Sequence, residues 1–241
     1  MALARLDIRN RYRGSVLGPL WLTLSTAVTF AALGLLYSKL FKMDLHDYLP
    51  FLVVSLILWN MFSQLVGEAC TSLTTAEGII RQLPLPYTVH ALRCMIRNAV
   101  VAAHNLPLIL VVFVLLDSLP GIGALLALPG LALFTVNAFA LVIFLGMLCA
   151  RFRDIGPIVA TVLQLGFFVS PIIWKPELLG VHQVWLVLNP FYVVMEVVRG
   201  PLLGTPPAAL VWVAAGCITL ASCGLSFAFF VRFRGRIAFW V

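Results

Sequence analysis

Long apolar runs, cut by short polar and basic stretches, organise this chain. A helix needs about 20 mostly apolar residues to cross roughly 30 Å of hydrocarbon, and runs of that kind predict spans at 20–41, 49–70, 98–117, 124–149, 155–174 and 208–231. Ahead of the first lies RLDIRNRYR, four arginines between Arg5 and Arg13. With Leu3, Leu6, Ile8, Tyr12, Val16 and Leu17 interleaved, residues 1–19 read as an amphipathic helix in the membrane interface. The stretch Val184 to Val198 is apolar too, but it is short, broken at Asn189-Pro190, and carries Glu196. It reads as a re-entrant or interfacial helix pair within 175–207, where broken backbone has to be buried in protein or line a polar cavity; a surface loop packed on the headgroups is the other reading. The longest polar connection, 71–98, opens with cap-type Ser and Thr, is punctuated by Pro84 and Pro86, and carries three arginines. Short helices broken by proline suit a surface that docks another protein. The expected fold is therefore a single all-α integral membrane domain over 1–241, with six transmembrane helices.

Composition fixes the solvent. Hydrophobic residues make up 62% of the chain and charged ones 10%, against about 25% charged in a soluble domain, so most of the surface has to meet lipid. The net charge of +7 does not imply nucleic acid, because the basic residues are scattered between apolar runs and form no continuous face. They act as orientation signals instead. With the N-terminus inside, Arg5, Arg9, Arg11, Arg13, Arg81, Arg93, Arg97, Arg151, Arg153, Arg232, Arg234 and Arg236 are cytoplasmic, and Lys39, Lys42, Lys175 and Arg199 lie outside. Both termini are thus expected in the cytoplasm. If 184–198 crossed, the C-terminal arginines would land on the wrong side. The first apolar run exceeds the core of a signal peptide, about 7 to 15 residues, and is expected to stay in the mature protein. Five cysteines form no CxxC, so neither a metal site nor a disulfide framework is expected.

The chain carries no GxxxxGK[ST], HExxH or GxSxG motif and no acid pair with catalytic spacing. It has no means of its own to use nucleotide hydrolysis, so it needs a partner or works downhill. Asn60, Gln64 and Glu68, with Gly67 beside them, recur every four residues in the second span and predict one helix stripe. Two readings stand: a hydrophilic translocation path, or side chains bonded to neighbouring helices. His104, Asn105, Asn137 and Gln164 are isolated polar residues at membrane depth and read as packing glue, while His46, His90 and His182 have no ligand-spaced companion. The six tryptophans mostly fall near span ends, as an aromatic belt requires. Glu196 and Arg199, three apart, predict an exposed pair shaping the outer exit, worth about 0 to 1 kcal/mol. Arg11 and Arg13 are candidates for holding a phosphate headgroup, because guanidinium binds phosphate oxygens bidentately.

Six ordered motifs, RNRYRGSVLGPLW (9–21), EGIIRQLPLPYTVHALR (77–93), RFRDIGPI (151–158), FFVSPIIWKPE (167–177), NPFYVVMEVVRGPLLG (189–204) and RFRGRIAFW (232–240), resemble the permease subunits of type-2 ATP-binding-cassette exporters, above all those of O-antigen and polysaccharide export, with teichoic acid exporters as relatives. The resemblance implies a half-permease of six helices in the bacterial inner membrane that dimerises and binds two copies of a separate ATPase. ATP and magnesium would then sit on that partner, with no cofactor on this chain. Residues 1–17 correspond to the family's interface helix, and 77–93 to its ATPase-contacting region, with Glu77, Arg81 and Arg93 in coupling roles. Residues 151–154 correspond to the inner loop near the gate and add Arg151, Arg153 and Asp154; the stretch after Pro171 corresponds to the outer re-entrant helices with Asn189, Glu196 and Arg199. The implied cargo is a lipid-linked polysaccharide moved from cytoplasm to periplasm, with Arg11 and Arg13 at the carrier headgroup and Asn60, Gln64 and Glu68 along the path. Export of a smaller lipid or a drug is a rival within the class. A membrane enzyme acting on a polyprenyl-phosphate sugar is a rival outside it, disfavoured by the dispersal of the nine acidic residues. Two departures stand out: many relatives have a longer N-terminus, and where they carry a proline after the tryptophan this chain has Ser25 and Thr26. The completeness of the interface helix is accordingly left open.

Overall fold

The computed structural model describes residues 19–83 and 85–241, the side chains from residue 23 onward. Arg11, Arg13 and the amphipathic stretch lie outside the described residues. Helix α1 (Pro19–Leu40) turns through Lys42, at φ 53°, into α2 (Leu45–Thr71), whose first N–H groups are capped by Asp44. A short α3 (Glu77–Gln82) ends where the backbone becomes extended at Leu83, the residue before a proline. Next come α4 (Tyr87–Leu115), α5 (Ala127–Arg151), α6 (Ile155–Val169), a 3-10 stretch over Pro176–Leu188, α7 (Pro190–Leu202), α8 (Ala209–Phe233) and a final turn α9 (Ile237–Trp240). No strand occurs among the described residues. The all-α membrane architecture expected from the sequence is what the chain adopts.

Among the described residues, five helices are long and apolar enough to cross a membrane, or six if a bent helix pair is taken as one span. Helix α2 is the hub, packed against α1, α4, α5, α6 and α7, and α8 closes the bundle against α5 and α7. Because successive long helices run antiparallel, two ends are defined. One end gathers the C-termini of α2, α5 and α8, the α3 region, and Arg81, Arg93, Arg97, Arg151, Arg153, Arg232, Arg234 and Arg236; this is called the basic end below. The distal end holds residues 41–44, 116–126 and 203–208 and the stretch around Lys175, whose ammonium lies over Phe51 near the start of α2.

Three boundaries differ from expectation for physical reasons. Helix α4 begins at Tyr87 instead of 98, since a helix that leaves the membrane has no reason to stop while its backbone stays bonded. Arg93 and Arg97 therefore ride on the first turns of a span instead of a loop. The fifth span, expected over 155–174, is helical only to Val169, because Ser170 precedes Pro171 and takes an extended conformation, φ −91° and ψ 146°. Its 15 residues rise only about 22 Å at 1.5 Å each. The unwound continuation is satisfied by protein, as broken backbone in a membrane requires: the Tyr48 hydroxyl donates to the Ile173 carbonyl, the Arg199 guanidinium to that of Pro171, and the Trp174 indole to that of Phe168.

The third boundary is that of the broken apolar stretch, which runs over Pro176–Leu188 and Pro190–Leu202 instead of 184–198 and agrees with the re-entrant reading. The 3-10 stretch and α7 meet at Asn189-Pro190 with a bend of 111°. Phe191, just past the bend, packs on Trp59 and Phe62, and Pro190 shares a small cavity with Asn137 and Ser222 near the middles of α5 and α8. Farther along α7, Arg199 reaches Ser55, closer to the distal end of α2, and Val197 lies over Gly130, near the start of α5. The tip therefore points into the bundle and α7 climbs back out. This is a re-entrant hairpin, not a loop lying on the surface.

Candidate functional site

Beyond its first turn, α2 exposes only Asn60, Gly67 and Thr71. Steps of seven and four residues keep one face of a 3.6-residue helix, so these three form a stripe, flanked by the partly buried Ser63 and Thr74. The Asn60 amide does not belong against hydrocarbon, whereas the Ser63 and Thr71 hydroxyls donate to the Asn60 and Glu68 carbonyls of their own helix, each at 3.3 Å. Across from the stripe lies α6, and between them toward the basic end opens a cleft of about 810 Å³ of mixed lining, with Ser63, Thr71, Thr74 and Arg153 as its polar side chains and Cys70, Cys149, Val159, Ala160 and Leu163 among its apolar ones. Small residues on both walls keep it open. Gln164 is exposed farther along α6.

The sequence grouped Asn60, Gln64 and Glu68 as one track, and the structure divides them. Four-residue steps overshoot the helical repeat by about 40° each, so Glu68 points about 80° round from Asn60, toward α4. There its carboxylate accepts from Arg97, at 2.7 and 2.9 Å, and from the Asn98 amide at 2.7 Å. Glu68 thus ties α2 to α4, the helix-bonding role weighed for it from sequence. Asn60 lies fully on the open face, with Gln64 partly exposed between the two directions. The residues the sequence reading missed are Ser63, Thr71 and Thr74; their signal was the spacing of three, eleven and fourteen residues from Asn60 of hydroxyl side chains, which keeps them near one helix face.

Asn189, Glu196 and Arg199 all belong to the hairpin, Asn189 at its tip and the other two toward its distal end, where they do not form an exposed pair. Arg199 is 1% exposed. It pairs with Glu196, donates to the Ser55 hydroxyl at 2.9 Å and to the Pro171 carbonyl, and lies 4.6 Å over the Phe51 ring. The worth expected for a solvated pair does not apply, because a buried guanidinium with every partner in place is costly to disturb. Asn189 caps α7 by accepting from the N–H groups of Phe191 and Tyr192, and donates to Ser170 at 3.0 Å. One residue thus holds both the hairpin tip and the unwound end of α6. Trp59, placed with the belt from sequence, instead lies in mid-bundle at 5% exposure, surrounded by Phe62, Phe167 and Phe191 with ring centroids 5.6 to 6.1 Å away.

At the basic end the expected coupling residues fall into two groups. Glu77 and Arg81 pair at 2.8 Å on α3, and Arg81 also donates to the main-chain oxygen of Val241 at 2.9 Å. Arg151 ends α5 with its guanidinium over the rings of Phe152, Trp240 and Phe233, at 4.9, 5.2 and 5.8 Å. Both arginines are therefore in contact with the last residues of the chain. Arg153 lines the cleft between α2 and α6, Asp154 precedes α6 and is exposed, and Arg93 lies on the second turn of α4. Among the described residues, no cluster of three or more His, Cys, Asp or Glu could hold a metal.

A second cleft has the opposite character. About 860 Å³ opens between α4 and α5, backed by Ile57, Met61 and Leu65 of α2 and walled by Ala99, Ala102, Ala103, Leu106, Leu131 and Phe134. It suits hydrocarbon, and the bundle separates it from the polar stripe. Buried behind α5, Asn137 donates to Thr219 at 2.6 Å and accepts from Ser222 at 2.7 Å, in line with the glue expected of it.

A polar wall, a re-entrant hairpin and a basic platform on one bundle are matched by sequence relationships. The O-antigen export system permease protein RfbA of Myxococcus xanthus is 26% identical over 199 residues, covering 81% of this chain and 76% of its own length. An O-antigen export system permease protein RfbA of Klebsiella pneumoniae is 23% identical over 189 residues, covering 78% of this chain and 73% of its own. The profile of the family described as ABC-2 type transporter matches residues 1–203, so this chain belongs to the ABC-2 type transporter family of membrane proteins.

Proposed function

We propose that this chain is the membrane permease of an exporter for a lipid-linked, O-antigen-like polysaccharide, driven by an ATPase on separate subunits. The observation that carries the reading is the stripe of Asn60, Gly67 and Thr71, the fully exposed positions of α2 beyond its first turn, of which Gly67 and Thr71 line a cleft that also holds Arg153. A wall of this polarity calls for water or sugar opposite it, and a second copy of the chain supplies the other half of a conduit. The names of the relatives, as O-antigen export permeases, support the cargo.

In this reading the protein sits in the bacterial inner membrane with both termini cytoplasmic, so the basic end is the cytoplasmic one. The permease is a homodimer with two ATPase copies, which hold the ATP and magnesium. ATP-driven closure of the ATPases moves the platform formed by Glu77, Arg81, Arg151, Arg153 and Asp154, and the two polar walls separate. Arg11 and Arg13 hold the diphosphate of the lipid carrier at the cytoplasmic surface. The hairpin of Asn189, Glu196 and Arg199 borders the exit.

Deleting the gene and analysing surface polysaccharide and cell-associated carrier-linked polymer tests this directly. Loss of surface polymer with intracellular accumulation is the expected outcome, and unchanged surface polymer sinks the reading. The apolar cleft between α4 and α5 favours one second reading, export of a smaller lipid. There, Ala102→Trp blocks transport and Asn60→Trp does not; the leading reading expects the reverse.

A further inference from the structure

The family match ends at residue 203 and assigns no role to the residues after α8. Three independent observations tie the last residues to the platform. Ile237 is fully buried among Leu73, Met147 and Ala150, with Ile80 and Tyr87 alongside, so it wedges between the α3 region and the end of α5. Trp240 lies under the Arg151 guanidinium and against Phe233. The main-chain oxygen of Val241 accepts from Arg81. One short segment therefore touches the proline-broken connection, the last turn of α5 and the last turn of α8.

We propose that residues 234–241 form a positioning strut that makes the docking connection 72–86 and the basic end of α5 move as one body, an inference that rests on the docking role proposed for that connection. The reason is mechanical. Helix α3 has six residues, none of them buried, and below about 12 to 15 residues a helix is marginal in water without tertiary support. A push on it would otherwise be absorbed by local rearrangement. Ile237 supplies an apolar anchor beneath it, Arg81 a tether at its last turn, and the Trp240–Arg151 stack a rigid link onward to α5. Arg81 and Arg151 act in this strut through their contacts with residues 240 and 241.

Ile237→Ala and Trp240→Ala test the strut, with Trp240→Phe as the conservative variant that keeps an aromatic face under Arg151. Permease complexes are purified through a tag on this chain and compared in three ways: hydrogen exchange of 72–86, ATPase retained and ATP hydrolysed, and polymer exported per permease. The expected result is faster exchange over 72–86 in both alanine variants, ATPase still bound and hydrolysing, and export per ATP reduced roughly 2- to 30-fold, the range expected for mutations along a coupling element. Trp240→Phe restores most of it. Unchanged exchange over 72–86 in both variants overturns the strut, as does a fall in export that merely tracks the amount of folded permease. Failure of the unaltered chain to retain any ATPase would instead strike the functional reading, and the exchange result would still stand on its own.

Discussion

Arg199 shows how far a single residue's meaning depends on its surroundings. In the sequence it is a cation three residues after Glu196; in the fold it is the buried post on which Ser55, Glu196 and the Pro171 carbonyl converge. Arg199→Ala leaves the Glu196 carboxylate and an unwound carbonyl without their donor and should cost about 3–5 kcal/mol, the range for breaking a buried ion pair. Thermal unfolding of the purified permease measures it, and a shift no larger than that of an exposed arginine such as Arg232 would refute the clamp. Arg199→Lys should recover little, since an ammonium lacks the fork that serves several acceptors at once. Gly130 is the second residue of this kind. A methyl group there would run into the Val197 carbonyl, so Gly130→Ala must push α7 off α5, at about 1–3 kcal/mol as for overpacking generally, and the same melting experiment reads it.

At the scale of elements, the hairpin and the unwound end of α6 form one device. Proline at 171 stops α6 short of the membrane thickness, and the missing depth is made up by extended backbone whose carbonyls are claimed by Tyr48 and Arg199, while the Trp174 indole donates back to the Phe168 carbonyl in the last turn of α6. Asn189 joins this stretch to the hairpin through Ser170. Asn189→Ala removes the cap of α7, worth about 0.5–2 kcal/mol, and also frees Ser170, so hydrogen exchange should rise in both 168–174 and 188–194. A rise confined to α7 would mean that the two elements are independent. The hairpin's existence was legible in the sequence from Asn189-Pro190 and from the charge balance. Its depth was not, because depth is set by which aromatic residues of α2 and α6 meet Phe191, and the contacts with α2 join positions more than a hundred residues apart.

For the whole molecule, the division into a polar face, a lipid face and a basic end makes one prediction about water. In a chain whose five native cysteines are replaced, Asn60→Cys and Thr71→Cys should react with a water-soluble maleimide in intact membranes, whereas Leu110→Cys and Leu220→Cys, 60% and 75% exposed toward lipid, should not. A thiol reacts as thiolate, which needs water. Equal reactivity at all four positions would remove the aqueous path.

The sequence by itself determined how many apolar stretches there are, where most of them begin and end, that the described arginines other than Arg199 share one end, and that the segment around Asn189-Pro190 turns back. These come from local quantities: run length against bilayer thickness, and proline against helix. Which residues form the exposed stripe of α2 was decided only by the tertiary structure. The four-residue spacing joined Asn60 to Glu68, but a helix repeats every 3.6 residues, and Arg97 and Asn98 of α4 claimed the carboxylate on the side to which that drift carried it. The same holds for the buried state of Arg199 and for the hold of Ile237, Trp240 and Val241 on the platform, since each is a pairing between distant parts of the chain whose energy no local pattern contains.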